Sequence, residues 1–200
     1  MTNRKKVFIS STYNDLKKHR QALIKDLISQ KYDVYCMENP KYFQEWRKEV
    51  FYNIDSCSYF IGIYAYLYGT IHDGDNKSIT QLEYEYARDN NKTCFVFFHN
   101  EDMLWYPKFH ETKPKYLEFL NEFKKIIKEK HSYQCFDSED NLVNKVNQVI
   151  RVHEQGKDDK MSDEVRNKLC DILQGKNNSN KDEKIEKMIF DFISILWLRR

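Results

Sequence analysis

The chain has 200 residues, 40% apolar and 15% aromatic, enough to bury one full domain core with a small appendage beside it. Its 33 Lys and Arg nearly balance 31 Asp and Glu, and a net charge of +2 offers no electrostatic footprint for DNA or RNA. No apolar run approaches the about 18 residues a membrane span needs, and the charged opening runs straight into Val7-Phe8-Ile9, unlike a signal peptide.

The elements follow in chain order. Residues 6–10 are a β-branched and aromatic run, read as a first strand, and residues 14–29 carry Leu16, Leu23, Ile24 and Leu27 on one helical face. Residues 32–37 are a second strand, and residues 43–54 a helix with Phe43, Trp46, Val50 and Ile54 on one side. The unbroken apolar run 59–66 predicts a strand buried on both faces. A polar loop, 72–77, precedes a helix over 79–90, and 93–98 is a further buried strand. After a loop with Pro107 and Pro114 come a helix at 115–130, a strand at 132–136 and a helix at 139–153.

Strict alternation with short connections implies parallel strands and right-handed crossovers. Five strands predict an α/β, flavodoxin-like three-layer fold with a parallel sheet in the order 2-1-3-4-5. Ligands bind such sheets at the carboxyl ends of the strands, which singles out the loops 10–15 and 68–78. Residues 1–154 are expected to form this domain, and 155–160 reads as a linker. Residues 161–200 are expected to be a helical appendage, with helices near 163–173 and 184–198. The last is apolar at Ile185, Met188, Ile189, Phe192, Ile193, Leu196 and Trp197. That stripe either docks on the protein's own neighbouring elements or serves self-association or a protein partner.

Cys36, Cys57, Cys94, Cys135 and Cys170 are odd in number and lack metal-ligand spacing. They read as buried free thiols of a reducing, cytoplasmic compartment. The histidines show no ligand motif, so no metal is expected.

At about 100° per residue, Ile79, Leu82, Tyr86 and Ala87 form the apolar face of the helix 79–90, and Glu83 lies in its middle. A carboxylate there must be paired, protonated or lining a cavity. Desolvation would raise its pKa, which suits a general base or nucleophile. The structural alternative is a capping box from Thr80 to Glu83, but Ser78 to Gln81 fits one too, and Glu83 would then lie too deep to cap. Arg20 falls between Leu16, Leu23, Ile24 and Leu27, where it meets Glu83 or a ligand phosphate, or lays its stem on the core. Arg47 sits similarly on its helix and is the weaker candidate. Ser10, Ser11, Thr12 and Tyr13 lead from strand to helix, a cradle for phosphate or ribose or a plain N-cap by Thr12 or Asn14. Gly69 permits close backbone approach, and Tyr68 either stacks on a base or packs as a strand-end aromatic.

Val7-Phe8-Ile9-Ser10-Ser11-Thr12-Tyr13-Asn14-Asp15-Leu16 with Arg20-Gln21-Ala22, and Tyr68-Gly69-Thr70 with Ser78-Ile79-Thr80-Gln81-Leu82-Glu83-Tyr84-Glu85-Tyr86-Ala87, resemble the two signatures of domain of unknown function 4062. The resemblance covers residues 5–150 or so. It implies a Toll/interleukin-receptor-like domain similar in fold to nucleoside deoxyribosyltransferases, in some members attached to bacterial defence or signalling systems. In those relatives a helix glutamate, four residues before an alanine, acts on the ribosyl carbon, and Glu83 with Ala87 has that spacing. The resemblance thus implies hydrolysis of a nucleotide N-glycosidic bond, with NAD as substrate and no cofactor. Glu83 would be catalytic, and Ser10, Ser11, Thr12, Tyr13, Arg20, Tyr68, Gly69 and Ser78 would bind substrate. The alternative is a non-catalytic module that binds a nucleotide signal or recruits a partner protein. A purely structural domain follows if Glu83 only caps.

Overall fold

The computed structural model describes residues 4–37, 46–72, 74–103 and 105–158. Five strands alternate with five helices: β1 (Lys6–Ser11), α1 (Tyr13–Ser29), β2 (Asp33–Cys36), α2 (Trp46–Ser56), β3 (Tyr59–Tyr64), α3 (Ile79–Asp89), β4 (Thr93–His99), α4 (Pro114–Lys130), β5 (Tyr133–Phe136) and α5 (Glu139–Asp158). The strands form one sheet in the order β2-β1-β3-β4-β5, with every pairing parallel. The chain divides into two compact units, Met1–Val146 and Asn147–Arg200.

The register follows from burial. β3 has partners on both sides and is buried at every residue, as its unbroken apolar run requires. Val7 pairs with Tyr59 and the ladder runs up to Ser10 opposite Gly62 and Ser11 opposite Ile63. Side chains alternate across a strand, so Phe8 and Ser10 share a face with Phe60, Gly62 and Tyr64. Phe8 stacks on Phe60 with centroids 5.9 Å apart. That face is closed by Val50 and Ile54 of α2, Tyr84 and Ala87 of α3, and Leu120, Phe123 and Ile127 of α4. Val7, Ile9, Ile61 and Ile63 turn to the opposite face and are buried too.

Two expectations change. The linker read at 155–160 is helical as far as Asp158, because Gln155 and Lys157 favour helix and one Gly156 is a tolerable cost. The cysteines are not uniformly buried: Cys57 is, Cys36 and Cys94 are half-buried, and Cys135 is exposed because β5 is an edge strand. Burial pushes the Cys57 thiol up to about 11 and that of Cys94 up to about 12, so neither is a nucleophile at neutral pH. Cys170 and the helices expected at 163–173 and 184–198 lie outside the described residues. No helix among the described residues is long and apolar enough to cross a membrane.

Candidate functional site

The start of α3 decides what Glu83 is for. Ser78 is the N-cap, with extended backbone, and its Oγ accepts from the Gln81 amide at 3.3 Å. Glu83 therefore lies beyond the first turn, where amides already have helical partners, and the Thr80 capping box is overturned. Its side chain instead turns to the sheet and is 3% exposed. Ser10 Oγ, at the carboxyl end of β1, donates to Glu83 Oε2 at 2.6 Å. These two residues are 73 apart in sequence and come together because β1 and α3 flank the same face.

Burial raises the Glu83 carboxyl to about 7, against the opposing pull of the Ser10 hydrogen bond and the Arg20 charge. Near neutral pH the group is thus divided between acid and carboxylate, the condition for proton transfer or for attack by a poised oxygen. Arg20 is 2% exposed, reaches from α1 to donate to the Met37 carbonyl at 3.0 Å, and lies over the Tyr13 ring at 5.1 Å. It is anchored at the end of β2 rather than snorkelling to solvent. Tyr13 is 42% exposed, with Lys17 also over its ring at 5.4 Å, so a partly open aromatic is flanked by two cations, of which Arg20 also acts on Glu83.

The two loops meet at Gly69. Its φ is +94°, and a Cβ built there would lie 3.2 Å from both Thr12 Cγ2 and Thr80 Oγ1. A side chain is thus opposed by backbone strain and by both neighbouring elements. Gly69→Ala is expected to lower stability by about 1–3 kcal/mol in urea unfolding; a loss within error would mean that the loop relaxes freely. Beyond Gly69 the chain is pinned. Ile71 bridges Ser78 in antiparallel fashion, and the Ile79 amide donates to the Thr70 carbonyl. The Tyr68 hydroxyl donates to Gln81 Oε1 at 2.6 Å and accepts from the Ser78 amide at 3.2 Å.

Tyr68 is 2% exposed, with its ring near Tyr116 and Phe119. This corrects the stacking expectation: the ring is packed inside and the hydroxyl secures the start of α3. Ser11 is also parted from Ser10, since alternation turns its side chain to the opposite face of β1. Thr12 is the N-cap of α1, but its hydroxyl donates to the Asp15 carboxylate instead of accepting from an amide. Arg47 pairs with Asp75 of the loop, away from Glu83.

Two residues of the site are absent from the sequence-based candidates. Burial pushes the Asp15 carboxyl up, against the Thr12 hydrogen bond and the nearby backbone of Leu67 and Tyr66, so it faces the chain that follows β3. Its signal was the Thr12-to-Asp15 interval, a T-x-x-D start. The other is Tyr64, read only as part of an apolar run, whose fully buried phenol is raised by burial and by the Glu83 charge. Among the described residues, no group of three or more His, Cys, Asp or Glu side chains comes together as metal ligands would.

The family described as domain of unknown function (DUF4062) matches residues 6–151. No curated protein matches the chain. Among solved structures, the chain is similar to the CMP N-glycosidase BcmB of Clostridium botulinum, at 16% identity and a TM-score of 0.43, over 72% of this chain and 99% of that one. It is also similar to a 2-desoxiribosyltransferase from Leishmania mexicana, at 13% identity and a TM-score of 0.36, over 48% of this chain and 65% of that one.

Proposed function

The chain belongs to the DUF4062 family, and from the geometry of its carboxyl site we propose that it hydrolyses the N-glycosidic bond of a nucleotide, with NAD as the first substrate to try. The observation that carries the reading is the buried Glu83 carboxyl, held on Oε2 by Ser10 at 2.6 Å at the carboxyl end of the sheet. Oε1 is then the oxygen for the ribosyl carbon. It attacks C1′ as the C1′–N bond breaks, and the base leaves with the bonding pair. For NAD the pyridinium nitrogen becomes neutral and nicotinamide needs no proton. Water next attacks C1′, the Glu83 ester bond breaks, and the sugar hydroxyl and one proton are released. Tyr13, Arg20 and the amides at the start of α1 would take the ribose and phosphates.

The test is base release, followed by chromatography, from NAD and a panel of nucleoside 5′-monophosphates incubated with concentrated protein. Release from at least one nucleotide is expected. A folded protein that releases no base from any of them removes the hydrolase reading.

One observation favours a second reading. Ser10 and Glu83 are almost fully buried, so a ligand reaches the carboxyl only after its surroundings move, as in a module that binds a nucleotide and changes shape. Calorimetric binding of the same nucleotides without turnover would select it.

A further inference from the structure

The phenol of Tyr64 faces Ser10 across the sheet. Tyr64 lies two residues beyond Gly62 on β3, so the two share a face, and Gly62 is the register partner of Ser10 on β1. A Cβ built on Gly62 would fall against the Tyr64 hydroxyl and 2.7 Å from its ring carbons Cε2 and Cζ. The ring is thus folded back over Gly62, in space that only glycine leaves open, and its oxygen is carried toward Ser10. Phe98 and Phe123 hold the ring from the sides at 5.8 and 5.2 Å. The Tyr64 oxygen is buried and makes no hydrogen bond of normal geometry among the described residues, which is costly unless a nearby acceptor takes it up. Ser10 has the capacity to accept it: its hydroxyl gives its one proton to Glu83 and keeps two lone pairs. Both Ser10 and Glu83 act on the ionisation of the phenol.

We propose that Tyr64 is a positioning residue that donates to Ser10 and, through it, orients the Glu83 carboxylate, as a buried chain from Tyr64 O–H to Ser10 O–H to Glu83 Oε2. Each bond in such a chain polarises the next. The chain favours the ionised carboxylate and engages Oε2 on the sheet side, leaving Oε1 for a ligand. Tyr64 touches no substrate. The proposal rests on the reading of Glu83 as the functional carboxyl, but its test does not require turnover.

The test is the titration of Glu83, followed by the infrared band of its protonated carboxyl in difference spectra against Glu83→Gln. Tyr64→Phe removes only the hydroxyl and keeps the ring packing. Its Glu83 midpoint is expected to rise by about one pH unit, the worth of one hydrogen bond. In a Ser10→Ala background, where the chain is already cut, Tyr64→Phe is expected to add nothing. An unchanged midpoint in the single variant overturns the proposal. Equal shifts in both backgrounds overturn the route through Ser10. If base release is also measured, kcat/KM of Tyr64→Phe should drop about tenfold well below pH 7, with little change above about pH 9. A titration shift without any base release in the wild type would leave the chain standing and remove the hydrolase reading.

Discussion

Glu83→Gln is expected to outgain the wild type in stability as pH rises. The folded protein holds the Glu83 proton up to about 7, whereas the carboxyl's ordinary value is 4.5. Between those values the native state binds more protons than the unfolded chain, so stability falls with rising pH across that window and is level on either side. The interval corresponds to about 3 kcal/mol of wild-type stability, present below pH 4.5 and lost above pH 7. Gln has nearly the same volume and still offers Ser10 an acceptor, but has no charge to desolvate. Urea unfolding of both proteins from pH 4 to 8.5 should show their difference growing by about that amount. A difference that stays constant across the series would mean that Glu83 meets more water than its burial indicates.

The same substitution is expected to move activity the other way. If Glu83 Oε1 attacks the ribosyl carbon, Glu83→Gln lowers kcat for base release by about 10³-fold or more, with KM changed little. The wild-type kcat/KM should then climb with pH through about 7, as the carboxylate forms. A carboxyl acting as an acid would instead give a falling limb over that range. Residual release within tenfold of wild type would take the reacting role away from Glu83. One substitution that stabilises and silences is the mark of a group placed for chemistry at a cost to the fold.

Much of the fold was legible because its signals are local. β3 and β4 are continuous apolar runs, α1 and α3 carry helical stripes, and their alternation leaves few topologies. The inward direction of Glu83 was legible for the same reason, as an angle on a helix. What could not be read was set by tertiary contact. Ser78 and Thr80 both fit a cap, and the Gln81 amide on Ser78 Oγ, with the Ser78 amide on the Tyr68 hydroxyl, shows which start the chain uses. Ser10 and Ser11 look alike in sequence, yet the pleat sends one to Glu83 and the other to the far side of the sheet. The Tyr64 hydroxyl was hidden in an apolar run, since nothing in that run reports on a serine of another strand. Tyr68 misled because an aromatic at a strand end has the same composition whether it packs or stacks.

The pinch formed by the Ile71–Ser78 bridge and the Thr70–Ile79 hydrogen bond has a consequence for how this protein can change over evolutionary time. It fixes both ends of the excursion between Ile71 and Ser78, whatever sequence lies between them. Glu83 takes its position from the Ser78 cap and the pitch of α3, so insertions, deletions or exchanges within the excursion leave it where it is. That short stretch can therefore change in sequence while the Glu83 carboxyl stays under a separate constraint.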